Sequence, residues 1–317
     1  MWFIGKRLII TGLTLLFVSI LCFAAFHLIP GDSALLSLGI EAKGEQLDAL
    51  RSEMGLDRNF AEQYFSWLGD FLTGKLGSSS RFRGESISGM IRERLPVTFS
   101  LACLSFLLII IIAFPVSVFT VKKDKTILNE AVTTLTAINI SMPGFFLGVL
   151  LIWVFGIILK LFIPGAFVSY REDALSFLAC LFFPALAIAL PNAALVVKFF
   201  RTSILNELKS GYVRTAKSKG GTRYHVLLRH ALKNASLPAI TLLGMITGEI
   251  FSGSIVIEQV FGIPGIGRLL LASITARDYL LIETLVVYIA FVVILANTAA
   301  DILLQVIDPR IRLSAKV

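Results

Sequence analysis

Charge is scarce in this sequence. Asp, Glu, Lys and Arg make up 16% of its 317 residues against 56% hydrophobic residues, and the mean hydropathy is +0.84. A soluble domain of this length needs far more polar surface, so the composition is that of a polytopic membrane protein. Acids are scarcer than bases, 21 against 29, giving a formal charge of +8. In a membrane chain that excess is explained by bases gathering at cytoplasmic edges, and no nucleic-acid partner is expected. The three cysteines, Cys22, Cys103 and Cys180, lie far apart in apolar segments. They have no metal-ligand spacing and read as small buried hydrophobes. His27, His225 and His230 do not cluster, so no metal site is expected. A Gly-rich phosphate loop ending in Gly-Lys-Ser/Thr is missing, because Lys219-Gly220-Gly221-Thr222 has the wrong order and spacing. The chain is therefore expected to bind no cofactor, to carry no catalytic residues and to hydrolyse no ATP itself.

What is present is a series of long apolar runs. A span needs about 20 mostly apolar residues. Six runs qualify: Leu8–Ile29, Val97–Val121, Ala131–Leu159, Ala174–Val197, Leu237–Ile257 and Leu281–Ile307. The first follows Lys6 and Arg7 as a signal peptide would, but its apolar core is too long, and it is expected to be a retained span. Pro143-Gly144, Pro184 and Pro191 should kink their spans. The predicted fold is all-α, with residues 1–29 as an N-terminal span, 30–96 as an extracytoplasmic segment and 97–317 as a five-helix core.

Six spans place both termini on one side. That side carries 17 bases, including nine in the Lys198–Ser236 loop, whose single acid is Glu207. The other side carries 12, and eight of these share the segment between Pro30 and Pro96 with ten acids. Both termini and the loop are expected to be cytoplasmic. In the opposite segment, Glu45–Met54 and Phe60–Leu72 have helical periodicity. The aromatic stripe of Phe60, Tyr64, Trp67 and Phe71 suits either anchoring at headgroup depth or docking of an external partner.

The loop 198–236 reads as helix, sharp turn, helix. Gly220 and Gly221 supply the turn, and Thr222 is placed to cap the second piece. Tyr224, Leu227, Leu228, Ala231 and Leu232 recur at helical spacing, with Arg223, Arg229, His230 and Lys233 around them. A basic amphipathic helix of this kind suits either an anionic lipid surface or the groove of a soluble protein. Within the spans, Glu249 sits where a charge is costly and marks a translocation path, a partner subunit or a hydrogen-bonded carboxyl inside the bundle. Asn139, Ser141 and Asn192 are candidates for lining a polar path. Asp301 is read as pairing with a base at its own membrane edge. Gly262–Gly267 has the composition of a re-entrant or turn-rich external loop.

Arg214-Thr215-Ala216, followed after three residues by Gly220, resembles the cytoplasmic "EAA" loop of the membrane subunits of ABC importers, with Arg214 at the Glu position. Tyr212-Val213 follows the peptide-permease variant. Further matches run through nearly the whole chain in order. They comprise Pro30-Gly31-Asp32, Gly55-Leu56-Asp57, Gly74-Lys75-Leu76-Gly77, Arg94-Leu95-Pro96-Val97-Thr98, Ser141-Met142-Pro143, Val260 to Leu269, Arg277-Asp278-Tyr279, Asp301 and Asp308-Pro309-Arg310-Ile311-Arg312. The departures are Asn59, where Pro is usual, and Lys75, where an acid is usual. The chain thus resembles the first, "B-type" permease of the dipeptide/oligopeptide/nickel ABC importer family.

The resemblance implies the type I ABC permease fold and a bacterial inner-membrane location. It implies a second permease chain, two ATPase subunits that bind the ATP and Mg, an extracytoplasmic solute-binding protein and surrounding membrane lipid. It implies that Tyr212, Arg214, Thr215, Ala216, Lys217, Gly220, Gly221, Arg223 and Tyr224 couple to the ATPase. Asn139, Ser141 and Glu249 become path candidates, and Phe261, Pro264, Gly265 and Gly267 an external gate or binding-protein contact. Di- or oligopeptides are the expected cargo, with nickel complexes or opines as the alternative within the family. An ion-coupled secondary transporter is the rival class, although no internal repeat or paired intramembrane carboxylates support it. A non-transporting scaffold is a further rival.

Overall fold

The computed structural model describes residues 2–28, 44, 57–79, 81–82, 84–122, 126–220 and 222–307. The described residues form α1 (Trp2–Leu28), α2 (Phe60–Thr73), α3 (Ile87–Lys122), α4 (Ile127–Ser141) and α5 (Gly144–Leu151), which continues as a π-helix over Ile152–Ile158. There follow α6 (Ala174–Glu207), α7 (Gly211–Ser218) and α8 (Arg223–Val226), the last extended by a second π-helix over Leu227–Ala231. The chain then runs through α9 (Leu232–Phe261), α10 (Ile266–Ala276) and α11 (Tyr279–Ile307). The expected helix Glu45–Met54, Pro30-Gly31-Asp32, Gly55-Leu56 and the stretch from Asp308 lie outside the described residues.

Five helices, α1, α3, α6, α9 and α11, are long and apolar enough to cross a bilayer. α4 and α5 with its π-helix make the sixth apolar element, but they are bent by 110° and not merely kinked. Two consecutive residues cause the bend. Pro143 drives its predecessor out of the α region, so Met142 is extended at ψ 128° and Pro143 follows at ψ 138°. Pro184 and Pro191, by contrast, lie within an unbroken α6. α3 begins at Ile87, ten residues before the expected Val97, because a helix continues past the point where its sequence turns polar. The cysteines differ from expectation too: Cys103 is exposed and Cys22 and Cys180 are half-buried. On a membrane helix that outer surface is itself apolar in surroundings, so a thiol is tolerated there.

The contacts divide the chain into two compact units. The first comprises Met1–Val97 and Gly265–Leu295. Its core joins Ile87, Met90 and Ile91 of α3 to Ile266 and Leu269 of α10 and to Leu281 and Leu285 of α11. Asn59, the residue where the family usually has Pro, starts α2. Its side chain accepts from Glu62 N at 2.9 Å and donates to Glu62 Oε1 at 2.9 Å, a capping box closed through the side chains. The aromatic stripe of α2 turns onto this chain. Phe23 meets Phe60, Tyr64 and Trp67 at centroid distances of 5.3, 5.5 and 5.4 Å, and Phe71 meets Phe291 at 5.3 Å. The Ser19 and Tyr64 hydroxyls share a hydrogen bond of 2.8 Å.

One buried carboxylate organises the rest of this unit. Asp278 begins α11, accepting from Leu281 N through Oδ1 at 3.3 Å. Its other oxygen accepts from the Ser79 hydroxyl and, at 3.4 Å, from Arg81 N. Ser79 Oγ in turn accepts from Phe82 N at 2.9 Å. The turn between α2 and α3 is thereby fixed to the start of the last span.

The second unit comprises Thr98–Pro264 and Ala296–Val317. Here Glu258 of α9 is fully buried and accepts from the Thr98 hydroxyl of α3 at 2.6 Å. A Cβ at Gly248 would lie 2.7 Å from the Asn297 amide atoms, so a larger residue there would push that side chain of α11 aside. Leu227, Ala231, Ala235 and Ala239 pack on Val121, Phe200 and Ile204. Pro238 has no N–H to offer its own helix, and next to that gap Ser203 Oγ donates to Ala235 O at 2.9 Å.

Replacing Asp278 by Ala leaves the Ser79 hydroxyl and the Leu281 amide short of an acceptor, while Arg81 N keeps Ser79 Oγ at 3.3 Å. The expected cost is about 2–4 kcal/mol, combining a lost N-cap with unpaired buried donors. It should appear as a lower unfolding temperature of the detergent-solubilised chain and as new protease cleavage between residues 74 and 86. Unchanged cleavage would count against the clamp.

Candidate functional site

The loop between α6 and α9 is built as a bracket. α6 closes at Glu207, where Ser210 N and Oγ both reach the Glu207 carbonyl, at 3.1 and 2.6 Å. α7 then runs eight residues. Val213 is fully buried and Ala216 half-buried on one side, while Arg214, Thr215 and Ser218 are exposed on the other. Residues three and four apart share a helix face, so the apolar side of α7 is spent on this chain and its polar, basic side points away. Gly220 stands at φ +87° with open space around it, and the reversal of direction depends on that left-handed residue. Gly221 lies outside the described residues. Thr222 caps α8 as expected, accepting from His225 N at 3.3 Å.

Tyr212 ties the two long helices together. Its hydroxyl donates to the Glu207 carboxylate at the end of α6 and accepts from Asn234 Nδ2 of α9 at 3.1 Å. Burial, and then the neighbouring Glu207, pushes the phenol above its ordinary range. It is therefore a proton donor at neutral pH. The loop's lone acid is thus used internally, and the outward surface keeps Lys209, Arg214, Lys219, Arg229 and Lys233 exposed.

The second limb differs from the simple amphipathic helix expected. Leu227 and Ala231 are buried, but Leu228 is exposed. The π-helix over Leu227–Ala231 widens the turn, so the buried positions 227, 231, 235 and 239 recur every four residues. The limb also does not end where the span was expected to begin, at Leu237. It runs into α9 without interruption, with Pro238 inside that helix. Of the expected coupling residues, Tyr212, Arg214, Thr215, Ala216 and Gly220 are thus gathered on one bracket. Lys217, Arg223 and Tyr224 belong to its helices, and their side chains are not described.

Within the bilayer α9 has two unlike sides. Ile246, Ile250, Ser254, Ile257 and Glu258 are buried, whereas Met245, Glu249, Ser252, Val256 and Gln259 are exposed along one face. Glu249 therefore points away from this chain's own bundle, which removes the reading as a carboxyl satisfied inside it. Glu258 was not anticipated, since it lies one residue beyond the apolar run ending at Ile257. Asn139 and Ser141 sit at the bend between α4 and α5, and each donates to its own helix, to Leu135 O at 2.9 Å and Ala137 O at 3.0 Å. Asn192 does the same to Ile188 O at 2.9 Å.

Phe261, Gly265 and Gly267 are buried and only Pro264 is half-exposed, so the turn after α9 offers little of those residues to an outside contact. Phe261 stacks with Phe162 at 6.3 Å. Gly267 lies in α10 instead of a loop.

Comparison with known proteins places this architecture. Residues 113–313 match the binding-protein-dependent transport system inner membrane component, and residues 1–102 match the N-terminal membrane component of such systems. A Brucella suis protein provisionally named a peptide permease is 35% identical over 97% of this chain and 98% of its own length. The oligopeptide transport system permease protein AppB of Bacillus subtilis is 32% identical over 98% of each chain. Among solved structures, an inward-facing form of the MetNI methionine ABC transporter matches with a TM-score of 0.56 at 16% identity, covering 69% of this chain and 96% of that one. That last likeness speaks for the fold alone. The chain belongs to the family of inner-membrane components of binding-protein-dependent transport systems.

Proposed function

We propose that this chain is the permease subunit of an ATP-driven importer of di- or oligopeptides, and that the α7–α8 bracket is its coupling element. The observation that carries the coupling is the orientation of α7. A helix meant to lie on lipid keeps its apolar side outward. α7 buries Val213 in its own chain and presents Arg214, Thr215 and Ser218 instead. Such a surface suits a polar contact with a soluble protein of complementary charge. In this reading two ATPase subunits bind ATP and Mg, and closure of their dimer moves the bracket. Because Tyr212 joins Glu207 to Asn234, the movement reaches α6 and α9 together.

The peptide cargo is supported by the names of the relatives. The exposed face of α9 with Glu249 supports a path shared with a second permease chain, since a carboxylate facing hydrocarbon is costly. A solute-binding protein delivers cargo on the far side. The bases near the loop support cytoplasmic termini in a bacterial inner membrane.

Three outcomes test this. Gly220→Ala introduces about 1–2 kcal/mol of left-handed strain, and Gly220→Pro forbids φ +87° altogether. Both should leave the ATPase copurifying while uptake falls, more for Pro than for Ala. Retained ATPase capture after deletion of residues 212–233 would refute the coupling role. Tyr212→Phe removes two hydrogen bonds, at a cost of about 1–3 kcal/mol. It should raise ATP hydrolysis uncoupled from uptake in reconstituted vesicles. Glu249→Gln should lower peptide uptake with the second permease still copurifying; loss of that copurification would instead assign the carboxylate to the subunit interface.

A further inference from the structure

At the loop end of the second unit the helices leave a groove of about 690 Å³, within the range of about 300–1,000 Å³ typical of ligand sites. Its floor is apolar. Phe114 and Phe200 pack at a centroid distance of 4.8 Å, and Pro115 and Phe119 extend the same surface along α3. Its rim is basic, with Lys122 closing α3 and Lys233 opening α9. Among the described residues that line it there is no carboxylate.

The order of these groups along the helices is the informative point. Phe114 lies eight positions before Lys122, about 12 Å deeper in the bilayer at 1.5 Å per residue. Phe200 is likewise seven positions inside the end of α6. The groove is thus apolar at hydrocarbon depth and cationic at headgroup depth. Phe119 and Leu228 are partly exposed along it, so it opens on the side of the helices and not into a closed core.

We propose that this groove binds one anionic phospholipid, with its phosphate between Lys122 and Lys233 and one acyl chain along Phe114, Pro115, Phe119 and Phe200. Basic pockets between spans recognise such headgroups, and lysine stems cover apolar surface while their ammonium groups stay at the interface. Leu228 and Lys233 belong to the second limb of the bracket and the start of α9, so the lipid would touch the element on which the loop rests. The inference depends only on the membrane-spanning character of α3, α6 and α9.

The test uses the full-length chain purified from membranes with the subunits that accompany it. Palmitoyl-oleoyl phosphatidylglycerol and phosphatidylcholine with the same chains are added in turn, and bound lipid is counted by native mass spectrometry. One phosphatidylglycerol should be retained per chain in preference to phosphatidylcholine. The double substitution Lys122→Gln and Lys233→Gln should lower retention at least about tenfold, each lysine contributing a factor of about five. Lys122→Arg with Lys233→Arg should preserve it, which separates charge from folding. Equal retention of both lipids, no loss in the Gln variant, or displacement by inorganic phosphate would overturn the proposal. So would complete cross-linking of Phe119→Cys to another subunit, which would show that protein covers the groove.

Discussion

A chain that crosses hydrocarbon repeatedly must satisfy its polar groups from within, because no water is there to do so. That constraint explains most polar contacts in the spans. Ser105 and Ser117 return their hydroxyls to Leu101 O and Ala113 O one turn earlier, at 2.8 and 2.7 Å. Ser203 reaches across to the backbone beside Pro238. Glu258 takes the Thr98 hydroxyl. Against this background Glu249 stands out, since the same helix turns it outward. One helix thus holds two carboxylates with opposite duties, one closed into the packing and one offered to whatever lies beside the chain.

The same constraint shapes the extramembrane connections, where the family motifs find physical reasons. Arg277-Asp278-Tyr279 combines the left-handed C-cap of α10 at φ 55° with the buried N-cap of α11. Arg94 to Thr98 brings the hydroxyl that meets Glu258. Ser141-Met142-Pro143 is the corner between α4 and α5. Asn59 shows how a departure from the usual residue is accommodated: a side-chain cap starts the helix that Pro would otherwise introduce.

Much of the fold was legible because hydropathy and turn chemistry are local. Six apolar runs, the Phe60 helix, the Gly220 reversal and the Thr222 cap could all be read from neighbouring residues. What escaped depends on partners distant in sequence or on phase. Ser79 and Asp278 are separated by 199 positions, and nothing in either neighbourhood names the other. Proline announced a break at residue 143 but not its 110° angle. The π-helix moved Leu228 to the surface although its α-helical spacing placed it with Leu227. Gly265 and Gly267 had the composition of a re-entrant or turn-rich external loop, and the chain buries both, with Gly267 inside α10.

The unbroken run from Arg223 to Phe261 has a mechanical meaning. At about 1.5 Å per residue it is a rod of roughly 55–60 Å, longer than the bilayer is thick. From Leu232 to Phe261 the helix is continuous, so a displacement at its loop end is carried along its length. The rod's places of give are the widened turn at Leu227–Ala231 and Pro238, where the helix lacks a backbone hydrogen bond. Glu249 lies on the exposed face of that helix, so any roll about its long axis would carry the carboxylate with it.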